Sequence, residues 1–237
     1  MKELSIIIPA YNEADRIVPM LSDIECYCKE NPGIISEVII VDDGSKDATV
    51  ECAMRYMFRL PLHIERMAKN CGKWAAIREG IHSAKNDALL LLDADGAASI
   101  FELKKLNVVE ILDEKIAILG SRFLKGATVE GKSGLRSVVS FGYRGYVKFW
   151  YWFASGRMNV DDMQAPFKLV FKSHMSGVLL VDRWVGDVEL MCCYQGSTRN
   201  VPLNFCHKRG SKVSVLTMFS MAFETIKIAW RCRKIYR

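Results

Sequence analysis

LLLLDADGAAS, residues 89–99, sets four consecutive leucines against two aspartates one residue apart. An apolar run this short suits a central strand of a parallel sheet, buried on both faces, and open α/β sheets bind their ligands at the carboxyl ends of such strands. Asp93 and Asp95 stand at that end. Alternate residues of an extended segment point the same way, so the two carboxylates can converge, and their repulsion calls for a cation. Mg²⁺ or Mn²⁺, held by one or two carboxylates and completed by phosphate oxygens, fits that geometry, and no histidine or cysteine lies nearby to favour zinc. The competing reading is a pair of solvated aspartates in a strand-to-helix turn, the second of them near a helix start.

A second acidic cluster favours the first reading. In VIIVDDGSKDAT, residues 38–49, an apolar run again ends in carboxylates, Asp42 and Asp43. Gly44 permits a tight turn and Asp47 is placed to cap the helix that follows. Turn and cap chemistry account for Gly44, Ser45 and Asp47 but leave Asp42 and Asp43 without a role. A carboxylate at a strand end can accept hydrogen bonds from a base N–H or from ribose hydroxyls. A Rossmann dinucleotide site is not supported, since no GxGxxG follows the first strand.

Working outward, short apolar runs (Leu4 to Ile8, Val38 to Val41, Leu62 to Ile64, Ala88 to Leu92, Ile116 to Leu119) alternate with segments whose apolar residues recur at helical spacing. Ala14, Ile17, Val18, Leu21 and Ile24 make one stripe, and Trp74, Ile77, Ile81 and Ala84 another. The pattern is that of an α/β fold with a mostly parallel central sheet flanked by helices. After about residue 120 the alternation loses its regularity. Residues 120–137 are polar, basic and glycine-containing, and read as a long loop. Residues 138–156 are rich in aromatics but carry Arg144 and Lys148, so they form either a buried core helix or one lying in a membrane interface.

The chain of 237 residues, half of them apolar, can bury one substantial core. We expect a domain over residues 1–212 followed by an amphipathic basic helix over 213–237. The opening MKELSIIIPAYNE reads as neither a signal peptide nor a membrane span. Eight scattered cysteines show no zinc spacing and suit reduced intracellular thiols. The net charge of +6 is modest but uneven: after Glu224 come Lys227, Arg231, Arg233, Lys234 and Arg237 with no acid, which suits an anionic surface. Nothing points to a nucleic acid.

SIIIPAYNEADRI, VDDGSKDAT, NCGKWAAIREGI, LLLDADGAA and LGSRF resemble, in order and spacing, glycosyltransferase family 2, inverting enzymes of the GT-A fold that use nucleotide-diphosphate sugars. DDMQAPFKLV, RWVGDVELM and RGSKVS are similar to the branch of that family that glucosylates dolichyl and other polyprenyl phosphates. The resemblance implies that Pro9, Tyr11, Glu13, Asp42 and Asp43 line the nucleotide pocket with Lys73 beside it. It implies that Asp95 binds the metal bridging the diphosphate, with Asp93 facing the donor. Gly120, Ser121 and Arg122 would help hold phosphate, Asp162, Gln164 and Lys168 would sit near the reacting groups, and Asp187 and Glu189 would complete the far wall. Two positions depart from the family pattern: Trp74 stands where glycine is usual, and Ala165 and Pro166 stand where a cysteine-glycine pair is usual.

A polyprenyl monophosphate, with a second pKa of about 6, is mostly dianionic at neutral pH and needs no strong base, only cations to hold it beside the donor's phosphates. Arg122, Arg136, Lys168 and Lys212 are the candidates. The resemblance favours UDP-glucose as donor, Mg²⁺ or Mn²⁺ as cofactor, and peripheral contact with the cytoplasmic face of a membrane. Two alternatives stand beside it: transfer to a glycan hydroxyl, with Asp162 as base, and a non-catalytic nucleotide-sugar binding protein.

Overall fold

The computed structural model describes residues 3–131, 134–177, 179–206 and 215–236, without the side chains of 134–140, 215–219 and 236. The first half alternates strand and helix: β1 (Leu4–Ala10), α1 (Ala14–Glu30), β2 (Ile35–Asp42), α2 (Thr49–Met54), β3 (Leu62–Arg66), α3 (Lys73–Ser83) and β4 (Ala88–Leu92). A 3₁₀ turn at Ile100–Lys105 leads to α4 (Val108–Glu114) and β5 (Ala117–Ser121). The second half holds β6 (Thr128–Glu130), α5 (Gly134–Ser155), β7 (Phe167–Phe171), α6 (Gly186–Cys193), β8 (Thr198–Pro202), β9 (Asn204–Cys206) and α7 (Val215–Tyr236).

Seven strands form one sheet in the order β3-β2-β1-β4-β7-β5-β8. β1 pairs in parallel with β2 and β4, β2 with β3, and β5 with β8, while β7 runs antiparallel between β4 and β5. The five apolar runs lie in β1 to β5, and the sheet is mostly parallel, as expected. Side-chain alternation along the strands creates two apolar layers. Ile6, Ile8, Val38, Ile40, Leu90 and Leu92 face α1, α2 and α4; Ile7, Ile39, Val41, Leu89 and Leu91 face α3, α5, α6 and α7.

Of the stretch read as a long loop, the described residues 120–131 and 134–137 include regular structure. They supply the end of β5, all of β6 and the start of α5, because β6 finds a parallel partner in the distant β9. α5 buries Val147, Tyr151 and Ala154 in the second layer and exposes Phe141, Phe149 and Trp152 on the opposite side. α7 packs on α5 and α6 through Met221, Ile228, Ala229 and Cys232, leaving Phe223, Trp230 and Ile235 exposed. Among the described residues no helix is long and apolar enough to cross a membrane.

Candidate active site

The parallel strands β1, β2 and β4 end together, and the loops leaving them build the site. The β1–α1 and β2–α2 loops are laced to each other: Asn12 N–H donates to Ser45 Oγ (2.9 Å), Lys46 N–H to Asn12 Oδ1 (2.8 Å), and Glu13 N–H to Thr49 Oγ1 (2.7 Å). Asp47, expected as a helix cap, accepts from the backbone of Thr49 (3.0 Å) and of Ala14 (3.2 Å), so it joins both loops. Gly44 turns at φ +71°, and a Cβ there would meet the backbone carbon of Lys69 at 2.8 Å, so a side chain is excluded both by conformation and by space.

Asp43 is buried and its carboxylate accepts from Cys71 N–H (2.6 Å), Gly72 N–H (2.8 Å) and Asn70 Nδ2 (2.9 Å). It therefore holds the 70–72 loop that precedes α3. A carboxylate offers about four acceptor positions, so one remains for a ligand N–H. Asp42, also buried, accepts from Ser45 N–H (3.1 Å), with Arg66 at 3.9 Å. Glu13 pairs with Arg16 (2.5 Å).

At the end of β4, Lys73 Nζ lies 2.5 Å from Asp93 Oδ1. Burial works against the Lys73 charge, but Asp93, Asp187 and Asp95 outweigh it and hold the ammonium above its ordinary range. Asp95 accepts a hydrogen bond from Ala97 N–H (2.9 Å), and burial together with the Asp93 charge pushes its carboxyl upward. Asp93 is thus engaged by a lysine while Asp95 is destabilised as an anion and has coordinating capacity to spare. Among the described residues no cluster of three or more His, Cys, Asp or Glu could enclose an ion. Two carboxylates at a strand end suit a hard divalent cation that takes its other ligands from phosphate and water.

Lys168 rises from β7 opposite Leu91 of β4 and is 4% exposed. Its ammonium donates to the Ala165 carbonyl (2.5 Å) and pairs with Asp187 Oδ1 (2.7 Å). Pro9, Lys73, Trp74, Asp93, Pro166, Lys168 and Asp187 line one cavity. Glu189 is not among its lining. Residues two apart on a helix lie about 200° around its axis, so the two carboxylates of α6 diverge. That of Glu189 accepts from Leu180 N–H (2.8 Å) and Val181 N–H (2.9 Å) and pairs with Arg231 of α7. Asp187 thus faces this cavity, while Glu189 faces the contact between α6 and α7.

A second cavity lies beside the first and is lined by Arg122, Phe123, Tyr143, Arg144, Val147, Asp162, Met163 and Gln164. Arg122 grips Asp162 with both arms of its fork (2.7 and 2.9 Å), and its backbone N–H adds a third bond (3.2 Å). Burial opposes the Arg122 charge, yet Asp162 holds the guanidinium firmly protonated. The neighbouring Asp161 turns the other way, accepting from Ser121 Oγ (2.5 Å) and pairing with Arg144 of α5. Burial raises the Asp161 carboxyl, but those partners prevail and keep it below the usual range. The hydroxyl of Tyr143 is pushed up to about 12 by burial. Sequence reading did not single out Asp161 or Tyr143, and it took Arg144 only as a charge on an aromatic helix. The side chain of Arg136 and all of Lys212, expected at the acceptor phosphate, lie outside the described residues.

Comparison with known proteins places this geometry in context. The model of glycosyl transferase family 2 matches residues 5–159. The chain is 31% identical over 241 residues to a dolichyl-phosphate beta-glucosyltransferase of Trichomonas vaginalis, spanning 95% of this chain and 70% of that protein. It is 32% identical over 231 residues to the dolichyl-phosphate beta-glucosyltransferase of Homo sapiens, spanning 90% and 70%. Among solved structures, the glucosyl-3-phosphoglycerate synthase of Mycobacterium tuberculosis in complex with Mn²⁺, uridine-diphosphate and glucosyl-3-phosphoglycerate aligns over 98% of this chain and 80% of its own, with a TM-score of 0.72 at 14% identity. The mannosyl-3-phosphoglycerate synthase of Rubrobacter xylanophilus aligns over 97% and 73%, with a TM-score of 0.68 at 14% identity. At such identities the structures speak for the fold.

Proposed function

The chain belongs to glycosyl transferase family 2, and we propose that it transfers glucose, with inversion, from UDP-glucose to the phosphate of a dolichol-like polyprenol. One observation carries the choice of acceptor. The carboxylates around the two cavities are committed to cations: Asp93 to Lys73, Asp187 to Lys168, Asp162 to Arg122 and Asp161 to Arg144. A sugar hydroxyl would need a general base on the attacking face, and Asp162, the residue suited to that task, has both oxygens occupied by Arg122. A phosphate dianion attacks without losing a proton and instead needs charged hydrogen-bond donors beside the donor's diphosphate, and Arg122 and Lys168 each keep N–H groups beyond those their aspartates use.

Asp95, with Asp93 beside it, would hold Mg²⁺ or Mn²⁺. When bound, that ion stabilises the charge that grows on the departing nucleoside diphosphate. Lys73 keeps Asp93 oriented and adds positive charge at the same end of the site. Asp43 braces the loop against which the nucleotide would rest. The likeness to two dolichyl-phosphate beta-glucosyltransferases over most of the chain supports glucose and a lipid phosphate.

A lipid acceptor must be met at a membrane surface. We assign that contact to the cytoplasmic face through the exposed aromatic residues of α5 and α7, namely Phe141, Phe149, Trp152, Phe223 and Trp230, with Lys227 and Lys234 alongside. Aromatic side chains favour the headgroup boundary, and each lysine near an anionic leaflet adds about 1 kcal/mol. Incubation with Mg²⁺, a short polyprenyl phosphate and radiolabelled UDP-glucose, UDP-galactose, UDP-N-acetylglucosamine or GDP-mannose tests the reading. Label from UDP-glucose in the organic phase is the expected result; label from none of the four donors would reject it.

A further inference from the structure

Trp74, in the first turn of α3, is 1% exposed and lies directly against Gly186, the first residue of α6. A Cβ at position 186 would stand 2.4 Å from the indole Cγ and Cδ2, so the two positions share one volume. The large ring at 74 requires the absence of a side chain at 186. Backbone bonds secure the same contact, since the amides of Trp74 and Ala75 donate to the carbonyls of Arg183 (3.4 Å) and Asp182 (2.9 Å). The indole is therefore fixed to the segment that delivers Asp187, not merely buried near it.

Its one polar atom is used. Trp74 Nε1–H donates to Asp187 Oδ2 (3.3 Å), while Asp187 Oδ1 faces Lys168 Nζ (2.7 Å), and Lys168 also donates to the Ala165 carbonyl (2.5 Å). The result is a line running indole, carboxylate, ammonium, carbonyl. The indole N–H fixes the carboxylate's rotation by holding Oδ2, so that Oδ1 is the oxygen presented to the lysine. An ammonium has three donors; Asp187 and Ala165 engage two, and the third points where the first two dictate.

We infer that Trp74 is a positioning residue: through Asp187 it sets the direction of the Lys168 ammonium, with Gly186 as the space that lets the ring stand there. The functional consequence rests on the role given above to Lys168 at the acceptor phosphate, but the mechanical link does not.

Three variants and two readouts test it. Trp74→Phe keeps an aromatic ring at the position but removes the N–H together with part of the indole's buried volume, Asp187→Asn keeps the ring and changes only its acceptor, and Gly186→Ala pushes the ring from its seat. For Trp74→Phe and Gly186→Ala, kcat/KM for the polyprenyl phosphate should fall about tenfold, the loss expected for one hydrogen bond to a charged group, with KM for UDP-glucose within about twofold of the parent. Independently of turnover, competitive labelling of Lys168 with an amine reagent, measured by mass spectrometry against Lys172 in the same digest, should rise several-fold in Trp74→Phe and likewise in Asp187→Asn. Unchanged Lys168 labelling in a Trp74→Phe protein of parental melting temperature overturns the inference, as does an equal loss of UDP-glucose affinity. A parent protein that makes no lipid product would reject the acceptor assignment and leave the labelling result to decide this one.

Discussion

Replacing Arg122 by alanine separates what this residue does for the fold from what it does for the reaction. The side chain of Asp162 is 3% exposed, and the Arg122 guanidinium gives it two hydrogen bonds, at 2.7 and 2.9 Å, together with its countercharge. Removing one partner of such a pair leaves a buried, uncompensated charge at a cost of about 3–5 kcal/mol. The backbone N–H of residue 122 survives the substitution and keeps one bond of 3.2 Å, which puts the expected loss at the lower end, about 3 kcal/mol. For a chain of this size that lowers the melting temperature by roughly 6–12 °C. Replacing both partners, Arg122→Met with Asp162→Leu, removes the stranded charge and should restore most of the stability, because apolar substitutes for a buried pair are often neutral. It should not restore transfer, since the cation proposed to meet the acceptor phosphate is still missing. Calorimetric unfolding and the organic-phase assay on the same preparations check both halves. A single variant that loses less than about 1 kcal/mol, or a double variant that regains transfer, would refute the reasoning.

Asp95→Asn should lower turnover by about a hundredfold and abolish its stimulation by Mg²⁺ or Mn²⁺ without changing the melting temperature by more than a few degrees; persisting metal stimulation would remove Asp95 as the ligand. Phe223→Glu and Trp152→Glu, at positions 60% and 45% exposed, should leave the fold intact yet weaken sedimentation with anionic liposomes about tenfold each, and unaltered partitioning would move the membrane contact elsewhere. Asp161 is held below the ordinary carboxyl range by Ser121 and Arg144 against the opposing effect of burial, so its contribution to stability is complete above the unfolded value of about 4 and is lost as the pH falls through its folded value. The stability gap between the parent and Asp161→Asn should therefore close in acid; a gap constant from neutral pH down to strong acid would contradict the assignment.

The strands β1 to β5 are legible in the sequence because each is a short apolar run ending in turn residues, and the layers follow from alternation alone. β7 is not, since FKLVF carries a lysine in second place and its burial depends on Asp187, a residue of the next helix. The acidic clusters at the ends of β2 and β4 point to the candidate site because local turn and cap chemistry gives them no partner in the sequence, and the partner that Asp43 does have, the 70–72 loop, comes from a distant segment. What they do once there is another matter: the engagement of Asp93 by Lys73, of Asp162 by Arg122 and the divergence of Asp161 from Asp162 arise from contacts between distant segments. Family resemblance groups Asp187 with Glu189, whereas helix geometry sends one to the cavity and the other to the clamp on α7. Trp74 stands out in the sequence as a departure from the family pattern, but its partner Gly186 carries no signal until the two backbones are seen side by side.

The tail illustrates a related point. The sequence suggests an amphipathic basic helix suited to an anionic surface, and in the structure Met221, Ile228, Ala229 and Cys232 of α7 are buried in the second apolar layer, with Arg231 paired to Glu189. Deleting it would strip the support from α5 and α6. Surface substitutions on its exposed face are the sound way to probe its membrane role, because they leave that packing alone.

The most direct test of the central claim is the structure of the product. Lipid recovered from a reaction with UDP-glucose and a polyprenyl phosphate should carry one hexose joined to the phosphate in the β configuration, as seen in its mass and in the proton coupling at the anomeric carbon, since a single displacement on an α-linked donor inverts that centre. An α-linked product, or glucose found on a hydroxyl with the phosphate unmodified, would contradict it.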